Sequence, residues 1–176
     1  HELSHKYKNN KNILIYNDDA LVFNFNKIQK PKTLIANLPY NISIKLIINF
    51  LKIIEDFDEI ILMIQKEVAE KMNYKKNLKK NRLNVLTELT VNFDIKFFVS
   101  KNVFFPKPKV NSAVIKMLPK KKYKVDVSVL EEFTKILFQK KRKKIINVLP
   151  KDFLNKIKYN KNLNYKKIID SRAEDL

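Results

Sequence analysis

Residues 33 to 43 read Thr-Leu-Ile-Ala-Asn-Leu-Pro-Tyr-Asn-Ile-Ser. The apolar run at 33–36 predicts a buried strand, and Asn37-Leu38-Pro39 ends it abruptly. Pro39 has no N–H, so its carbonyl is free to face outward instead of continuing a ladder. An Asn oxygen, a backbone carbonyl and the Tyr40 ring then gather at the strand's carboxyl end. Open α/β sheets bind their ligands there. Two acceptors and an aromatic face suit a flat group that carries an exocyclic NH₂.

Outward from this point, strand and helix patterns alternate. Residues 12–16 (Asn-Ile-Leu-Ile-Tyr) read as a strand ended by Asn17-Asp18-Asp19, with Asp18 a turn residue. Ser43 is expected to cap a helix to about Ile54, with Ile44, Ile47, Ile48, Leu51 and Ile54 along one stripe. Residues 60–64 read as a buried strand, 66–72 as a helix, 75–82 as a polar loop and 83–90 as a helix. Residues 95–99 and 113–118 are strands on either side of a Pro-rich loop. This alternation predicts an α/β, Rossmann-like core with a mostly parallel, doubly wound sheet over 1–118. Pro119-Lys120-Lys121-Lys122 changes the composition, so 119–124 is a linker. Helical patterns at 127–138, 142–148 and 152–157 predict a small C-terminal α-helical domain over 125–176.

Composition narrows the function. Hydrophobic residues make up 45%, enough for a packed core, and cysteine is absent. Disulfides and thiolate metal sites are therefore excluded, and His1 and His5 offer the chain's imidazoles, so no metal is expected. No run approaches the ~18 to 20 apolar residues of a membrane span, and no signal peptide is visible. The formal charge of +19 points to a polyanionic partner. Of 37 basic residues, Arg82, Arg142 and Arg172 are the arginines. Lys, Asn, Ile, Phe and Tyr are all frequent, as an AT-rich genome would produce, so part of the charge is compositional. Glycine is absent. Turns must therefore rely on residues such as Asn9-Asn10, Asn17-Asp18 and Asn160, since Asn and Asp best tolerate the left-handed region.

The stretch Asn37-Leu38-Pro39-Tyr40-Asn41-Ile42-Ser43 resembles the motif of amino-directed, S-adenosylmethionine-dependent methyltransferases, and specifically of the rRNA adenine N6,N6-dimethyltransferases. Three further segments carry the resemblance in the same order. Leu62-Met63-Ile64-Gln65-Lys66-Glu67-Val68-Ala69 is similar to the family's strand-to-helix junction. Residues 104–114 (Phe-Phe-Pro-Lys-Pro-Lys-Val-Asn-Ser-Ala-Val) resemble its Phe-x-Pro-x-Pro-Lys-Val-x-Ser-Ala-Val loop. Residues 137–144 with Ser171-Arg172-Ala173-Glu174-Asp175-Leu176 resemble the basic helix and Arg-Ala-Glu-Asp/Asn-Leu stretch of the small-subunit branch.

The resemblance implies roles. The Asn37 side-chain oxygen and the Pro39 carbonyl would accept the amino protons of the target adenine. Tyr40 would stack on one face of the ring and Phe104 on the other, while Phe105 fills core. S-adenosylmethionine would be held by Asp19 and the Ala20 N–H at its adenine and by Glu2 at its ribose, with Asn37 alongside. Lys107 and Lys109 flank the pocket. With the basic helix Lys140, Lys141, Arg142, Lys143 and Lys144, they would contact RNA phosphates. The family's Gly-rich cofactor turn, over which the methionine half lies, has no counterpart in this sequence. The resemblance therefore predicts an N-terminally incomplete core. The implied protein is a monomeric enzyme acting on small-subunit rRNA or a pre-ribosomal particle, off the membrane, in the cytoplasm or an organelle. Two other functions remain open: the large-subunit, macrolide-resistance type of rRNA adenine methyltransferase, and a non-catalytic RNA-binding assembly factor.

Overall fold

The structure, a computed structural model, describes residues 2–29, 31–76, 79–120, 126–140 and 142–175. In chain order the elements are α1 (Glu2–Lys6), β1 (Thr33–Asn37), α2 (Ser43–Lys52), β2 (Glu59–Gln65), α3 (Lys66–Met72) and α4 (Arg82–Thr90). They continue with β3 (Val91–Val99), β4 (Ser112–Pro119), α5 (Val127–Gln139), α6 (Lys151–Tyr159) and α7 (Tyr165–Asp170). The four strands form one sheet in the order β1-β2-β4-β3. β1 and β2 pair in parallel, whereas β4 pairs antiparallel with both β2 and β3. Three strands therefore share one direction, and β4 alone opposes them from between β2 and β3. The mostly parallel expectation holds for direction and not for adjacency, because β4 inserts itself rather than adding to an edge.

The core lies on one face of this sheet. Ile60, Leu62 and Ile64 of β2 alternate inward and sit directly opposite Met117, Ile115 and Ala113 of β4, all buried. Helix α2 lays Leu46, Ile47, Ile48, Phe50 and Leu51 into the same core, α3 adds Val68, Ala69 and Met72, and α4 adds Leu83 and Leu86. Each large side chain buried this way contributes about 1.5–3 kcal/mol. Ile44, placed on the α2 stripe by periodicity, is instead half exposed. It borders an open cleft between α2, α4 and α5, with Ile48, Leu83 and Phe138, so no neighbour covers it fully. The opposite sheet face is more open, with Ile35 73% and Phe97 58% exposed.

The ends of β1 and β2 are tied together at Lys32. Its backbone N–H donates to Asp58 Oδ2 at 2.9 Å, and the Asp58 N–H returns a bond to the Lys32 carbonyl at 2.9 Å. The buried Lys32 ammonium donates to the Phe25 carbonyl at 2.9 Å, and the Phe25 ring packs edge-on against Phe50 and Phe57. Upstream, residues 11–20 are all exposed and form no strand. The expected strand at 12–16 does not form because β-structure needs a neighbouring ladder, and the segment pairs with none of the described strands.

Glycine's absence is met differently from the expectation. No described residue has a positive φ. Asn side chains accept local N–H groups instead, as at Asn10, Asn24, Asn160 and Asn164. Before α4, Asn81 accepts from Leu83 and Asn84 while the Asn84 side chain accepts from the Asn81 N–H, a reciprocal cap.

The C-terminal half of α5 shares a second apolar cluster (Leu137, Phe138, Ile145, Leu149 and Ala173) with α6 and α7, while its first turn places Val127 in the main core. No sequence pattern singles out α7. Residues 140–144, expected as a basic helix, form a turn in their described part, closed by Lys143 N–H to Lys140 O at 2.9 Å. The following 145–148 stretch holds a single 3-10 turn, because Ile145 is pinned by its N–H to the Ser171 carbonyl at 2.9 Å and by the bridge from Lys144 to Arg172. Residues 121–125 and Lys141 lie outside the described residues, and with them most of the expected linker.

Glu131 on α5 links three helices. It receives Lys52 Nζ from α2 at 2.6 Å and an Arg82 guanidinium nitrogen from α4 at 2.6 Å. The hydrogen bond from Lys52, with the charges of Lys52 and Arg82, holds this carboxyl below the usual carboxylate value, against the opposing effect of burial. A depressed carboxyl contributes its stability above its unfolded value and loses it as pH falls through the folded one. Glu131→Gln should therefore lower stability by about 1 kcal/mol at neutral pH. The difference from the parent, read from urea midpoints, should shrink toward acid. A constant difference at all pH values would mean that the carboxylate charge is not what α5 uses.

Candidate active site

The site begins where a hydrogen-bond ladder runs out. Asn37, the last residue of β1, lies opposite Met63 of β2. One bond follows, from the Leu38 N–H to the Met63 carbonyl at 3.1 Å, with the Leu38 side chain buried beneath. Pro39 has no hydrogen to give, and the chain turns. The Pro39 carbonyl accepts the Ile42 N–H at 3.2 Å, and α2 starts at once. Ser43 is not the helix's capping acceptor. It is the first helical residue, buried, and its hydroxyl donates back to the Tyr40 carbonyl at 3.1 Å. The turn is thereby closed from both ends. The Asn37 side chain is exposed and makes no hydrogen bond among the described residues.

The facing wall comes from the loop at residues 100–111, between β3 and β4. Asn111 fixes its base. The Asn111 carbonyl accepts the Lys66 N–H at 3.0 Å, and its side-chain oxygen accepts the Lys101 N–H at 3.0 Å. The Phe105–Pro106 peptide is cis. Asn37, Leu38, Pro39, Tyr40, Met63, Phe104, Phe105, Pro106 and Pro108 surround one open cleft of about 280 Å³. The four residues assigned to the target base thus meet in a single place. Phe104 is half-buried there. Phe105 does not fill core: it is fully exposed at the rim, since successive residues of an extended segment point opposite ways and Phe104 takes the inward side.

Two side chains that motif reading gave no role hold this geometry. The Tyr40 hydroxyl shares a 2.7 Å hydrogen bond with Ser112 Oγ, which is fully buried at the start of β4. Tyr40 cannot swing freely, because its hydroxyl is held by Ser112 and its carbonyl by Ser43. Ser112 and Asn111 both lie in the Pro-rich loop motif, so the signal was present in sequence, but nothing there said which partner each would reach.

The remaining assigned residues are placed elsewhere. Glu2, Asp19 and Ala20 are exposed on the N-terminal segment and do not line the Asn37 cleft. Asp19 Oδ1 accepts the Leu21 N–H at 2.8 Å, a local turn bond. The nearest anchor of this segment to the core is Leu21, whose carbonyl accepts Asn49 Nδ2 of α2 at 3.1 Å. The described residues therefore gather the side chains assigned to the target base around one cleft, and the acids assigned to S-adenosylmethionine do not line it. Lys107 and Lys109 are exposed on the loop beside the cleft. Lys140, Arg142 and Lys143 are exposed at the α5 end, and Lys144 is paired with Asp170 at 2.9 Å. Among the described residues no helix is long and apolar enough to cross a membrane, and no group of three or more His, Asp or Glu could hold a metal.

Residues 1–175 match the family described as ribosomal RNA adenine dimethylase. The chain belongs to this family. It is 40% identical over 167 residues to ribosomal RNA small subunit methyltransferase A of Mesomycoplasma hyopneumoniae strain 232, covering 93% of this chain and 62% of that relative. The enzyme of the same name from Malacoplasma penetrans strain HF-2 is 39% identical over 171 residues, covering 94% and 62%. The chain thus spans about 62% of the length of these curated relatives. Among solved structures, a dimethyladenosine transferase from Plasmodium falciparum superposes with a TM-score of 0.72 at 25% identity, covering 99% of this chain and 72% of that one. The 23S rRNA methyltransferase ErmE superposes with a TM-score of 0.62 at 18% identity, covering 97% and 71%, a likeness of fold. The Rossmann-like methyltransferase fold expected from the motifs is the fold these structures share.

Tyr40→Phe tests the pocket's frame. It keeps the ring and removes the hydroxyl, leaving Ser112 Oγ buried without its partner. The loss should be about 1–3 kcal/mol, the cost of an unsatisfied buried group. Chemical denaturation of Tyr40→Phe and of the Tyr40→Phe/Ser112→Ala pair would check it. The pair should regain part of the loss, and an undisturbed single variant would remove Ser112 from the frame.

Proposed function

We propose that this chain carries the target-base site of an rRNA adenine N6,N6-dimethyltransferase that modifies small-subunit rRNA, free or in a pre-ribosomal particle. The observation that carries the reading is the convergence of Asn37, Pro39, Tyr40 and Phe104 on one cleft at the carboxyl end of β1. Family membership and the names of the relatives support the small-subunit substrate. The protein would act as a monomer in the cytoplasm, where ribosomes are assembled.

An adenine amino group is a poor nucleophile because its lone pair is delocalised into the ring. Asn37 Oδ1 and the second lone pair of the Pro39 carbonyl would accept its two protons. That favours a more tetrahedral nitrogen and stabilises the positive charge that grows there. Neither group acts as a strong base. Tyr40, held by Ser112, and Phe104 would sandwich the ring once the base leaves its stack, so much of the rate would come from positioning. S-adenosylmethionine would supply the electrophilic methyl group. Asp19, Ala20 and Glu2 are assigned to its adenine and ribose, but their exposed placement on the N-terminal segment leaves that side open. Lys107, Lys109, Lys140, Lys141, Arg142, Lys143 and Lys144 would contact the RNA backbone.

Asn37→Ala should lower single-turnover methyl transfer by on the order of 10²-fold while RNA binding persists, by analogy with the loss of one oriented hydrogen-bond group. Near-parental single-turnover rates would remove Asn37 from the chemistry. Mapping the modified adenines would separate this reading from a large-subunit target. For the cofactor, isothermal titration of the 176-residue chain with S-adenosylmethionine should give binding weaker than micromolar. Micromolar affinity would show that the N-terminal acids do close over the cleft in solution.

A further inference from the structure

The loop at residues 100–111 has a second side. Away from the Asn37 cleft, Lys66, Glu67, Glu70, Lys101, Lys109 and Asn111 border another open cleft, of about 330 Å³. Its charges are arranged unevenly. On the α3 wall each carboxylate has a lysine one turn away: Glu67 binds Lys71 at 2.7 Å, and Glu70 faces Lys66 at 3.7 Å. On the loop wall Lys101 and Lys109 make no ion pair among the described residues. The net positive potential therefore lies on the loop side.

An aromatic face stands beside it. Phe98 near the end of β3 is 54% exposed, and Lys66 Nζ lies 5.1 Å from its ring centroid. Core filling would bury this ring. Directly opposite it, Ala113 is fully buried, and so is Ile64 one strand further. The register irregularity between Ile95 and Phe97 changes the alternation of β3 just before Phe98, so the strand leaves two consecutive phenylalanines at the surface of an edge strand. Exposed rings interleaved with unpaired lysines are the recurring surface for single-stranded nucleic acid. The ring stacks a base of any sequence and the cations track the backbone.

We propose that this second cleft binds a nucleotide flanking the target adenine, with its base stacked on Phe98 beside Lys66 and its phosphate held by Lys101 and Lys109. The proposal rests on the reading of the Asn37 cleft as the target-base site. Both clefts share one loop, pinned by Asn111 to β2's end and to Lys101. A strand entering the first cleft would therefore pass over the second, and the site would hold single-stranded RNA in place without reading its sequence. Phe98, Lys66, Lys101 and Lys109 become positioning residues for the flipped base.

Two fluorescein-labelled octaribonucleotides test it by anisotropy on the intact chain: one all uridine, the other with a single central adenine. Circular dichroism first establishes folding of each variant. Phe98→Leu should weaken both oligomers about five- to tenfold, the loss of one base stack, and leave the preference for adenine unchanged. Lys101→Gln/Lys109→Gln, on the loop wall, should lower the log–log salt slope by about 1.4, two contacts at roughly 0.7 each for a single strand. Should Phe98→Leu fail to fold, the lysine pair decides alone. Retained adenine preference with unchanged affinity and slope in the variants would overturn the subsite and leave the target-base reading standing. Loss of both affinities in the variants without any adenine preference in the parent would support the subsite and remove the target-base reading. No binding of either oligomer by the parent chain would overturn both.

Discussion

Pro39 has no N–H to give to the sheet. The parallel ladder between β1 and β2 runs to Asn37, adds the bond from Leu38 to Met63 at 3.1 Å, and then stops. Everything at the site follows from that stop, where the fixed φ of Pro39 carries the chain into a turn. The chain leaves the sheet into a turn whose Pro39 and Tyr40 carbonyls accept the Ile42 N–H and the Ser43 hydroxyl, and Asn37 is left at an open end with no partner for its side chain among the described residues. The helix that begins at Ser43 then carries Leu46, Ile47, Ile48, Phe50 and Leu51 into the core, so the turn is anchored by packing on one side and by the ladder on the other.

Tyr40 and Ser112, 72 residues apart in the chain, have to meet for the pocket to exist, and the sheet is what brings them together. β4 pairs with β2 so that Ser112 faces Gln65, just past Met63, the residue opposite the end of β1. That puts the Ser112 hydroxyl within 2.7 Å of the Tyr40 hydroxyl. The same pairing places Asn111 beside Lys66, from which the loop carrying Phe104 is suspended. The antiparallel insertion of β4 between β2 and β3 is therefore not a detail of topology. If β4 lay at an edge, the loop would hang away from Asn37.

The large positive charge is spent in two ways. Part of it is structural. Lys52 and Arg82 converge on Glu131 and hold α5 against α2 and α4, and Lys144 is tied to Asp170 near the chain's end. Lys107, Lys109, Lys140 and Lys143 are exposed instead. Each exposed ammonium adds little to folding, but lysines beside an open cleft, such as Lys107 and Lys109, can release counterions from a nucleic-acid strand.

The sequence by itself determined the element types around the site and singled out Asn37, Pro39, Tyr40 and Phe104, although Phe105, read as core, stands exposed at the rim. The apolar run at 33–36, the Asn-Leu-Pro-Tyr turn, the helix at Lys66–Met72 and the Pro-rich loop are local patterns whose physics acts over a few neighbours. Tertiary structure decided everything that needs a distant partner. The apolar stretch at 12–16 has strand composition, yet no ladder is offered to it and it stays exposed. The basic residues at 140–144 have helical composition, yet the Ile145–Ser171 bond draws the chain into a turn. Ser43, a capping residue by type, donates to Tyr40 instead, and Tyr40 in turn finds Ser112, which no spacing rule relates to it. Hydrogen bonds and ion pairs of this kind depend on where two remote segments are held relative to one another. That placement is set by the burial of Ile60, Leu62 and Ile64 against β4 and the helices, a sum over the whole core that no single motif carries.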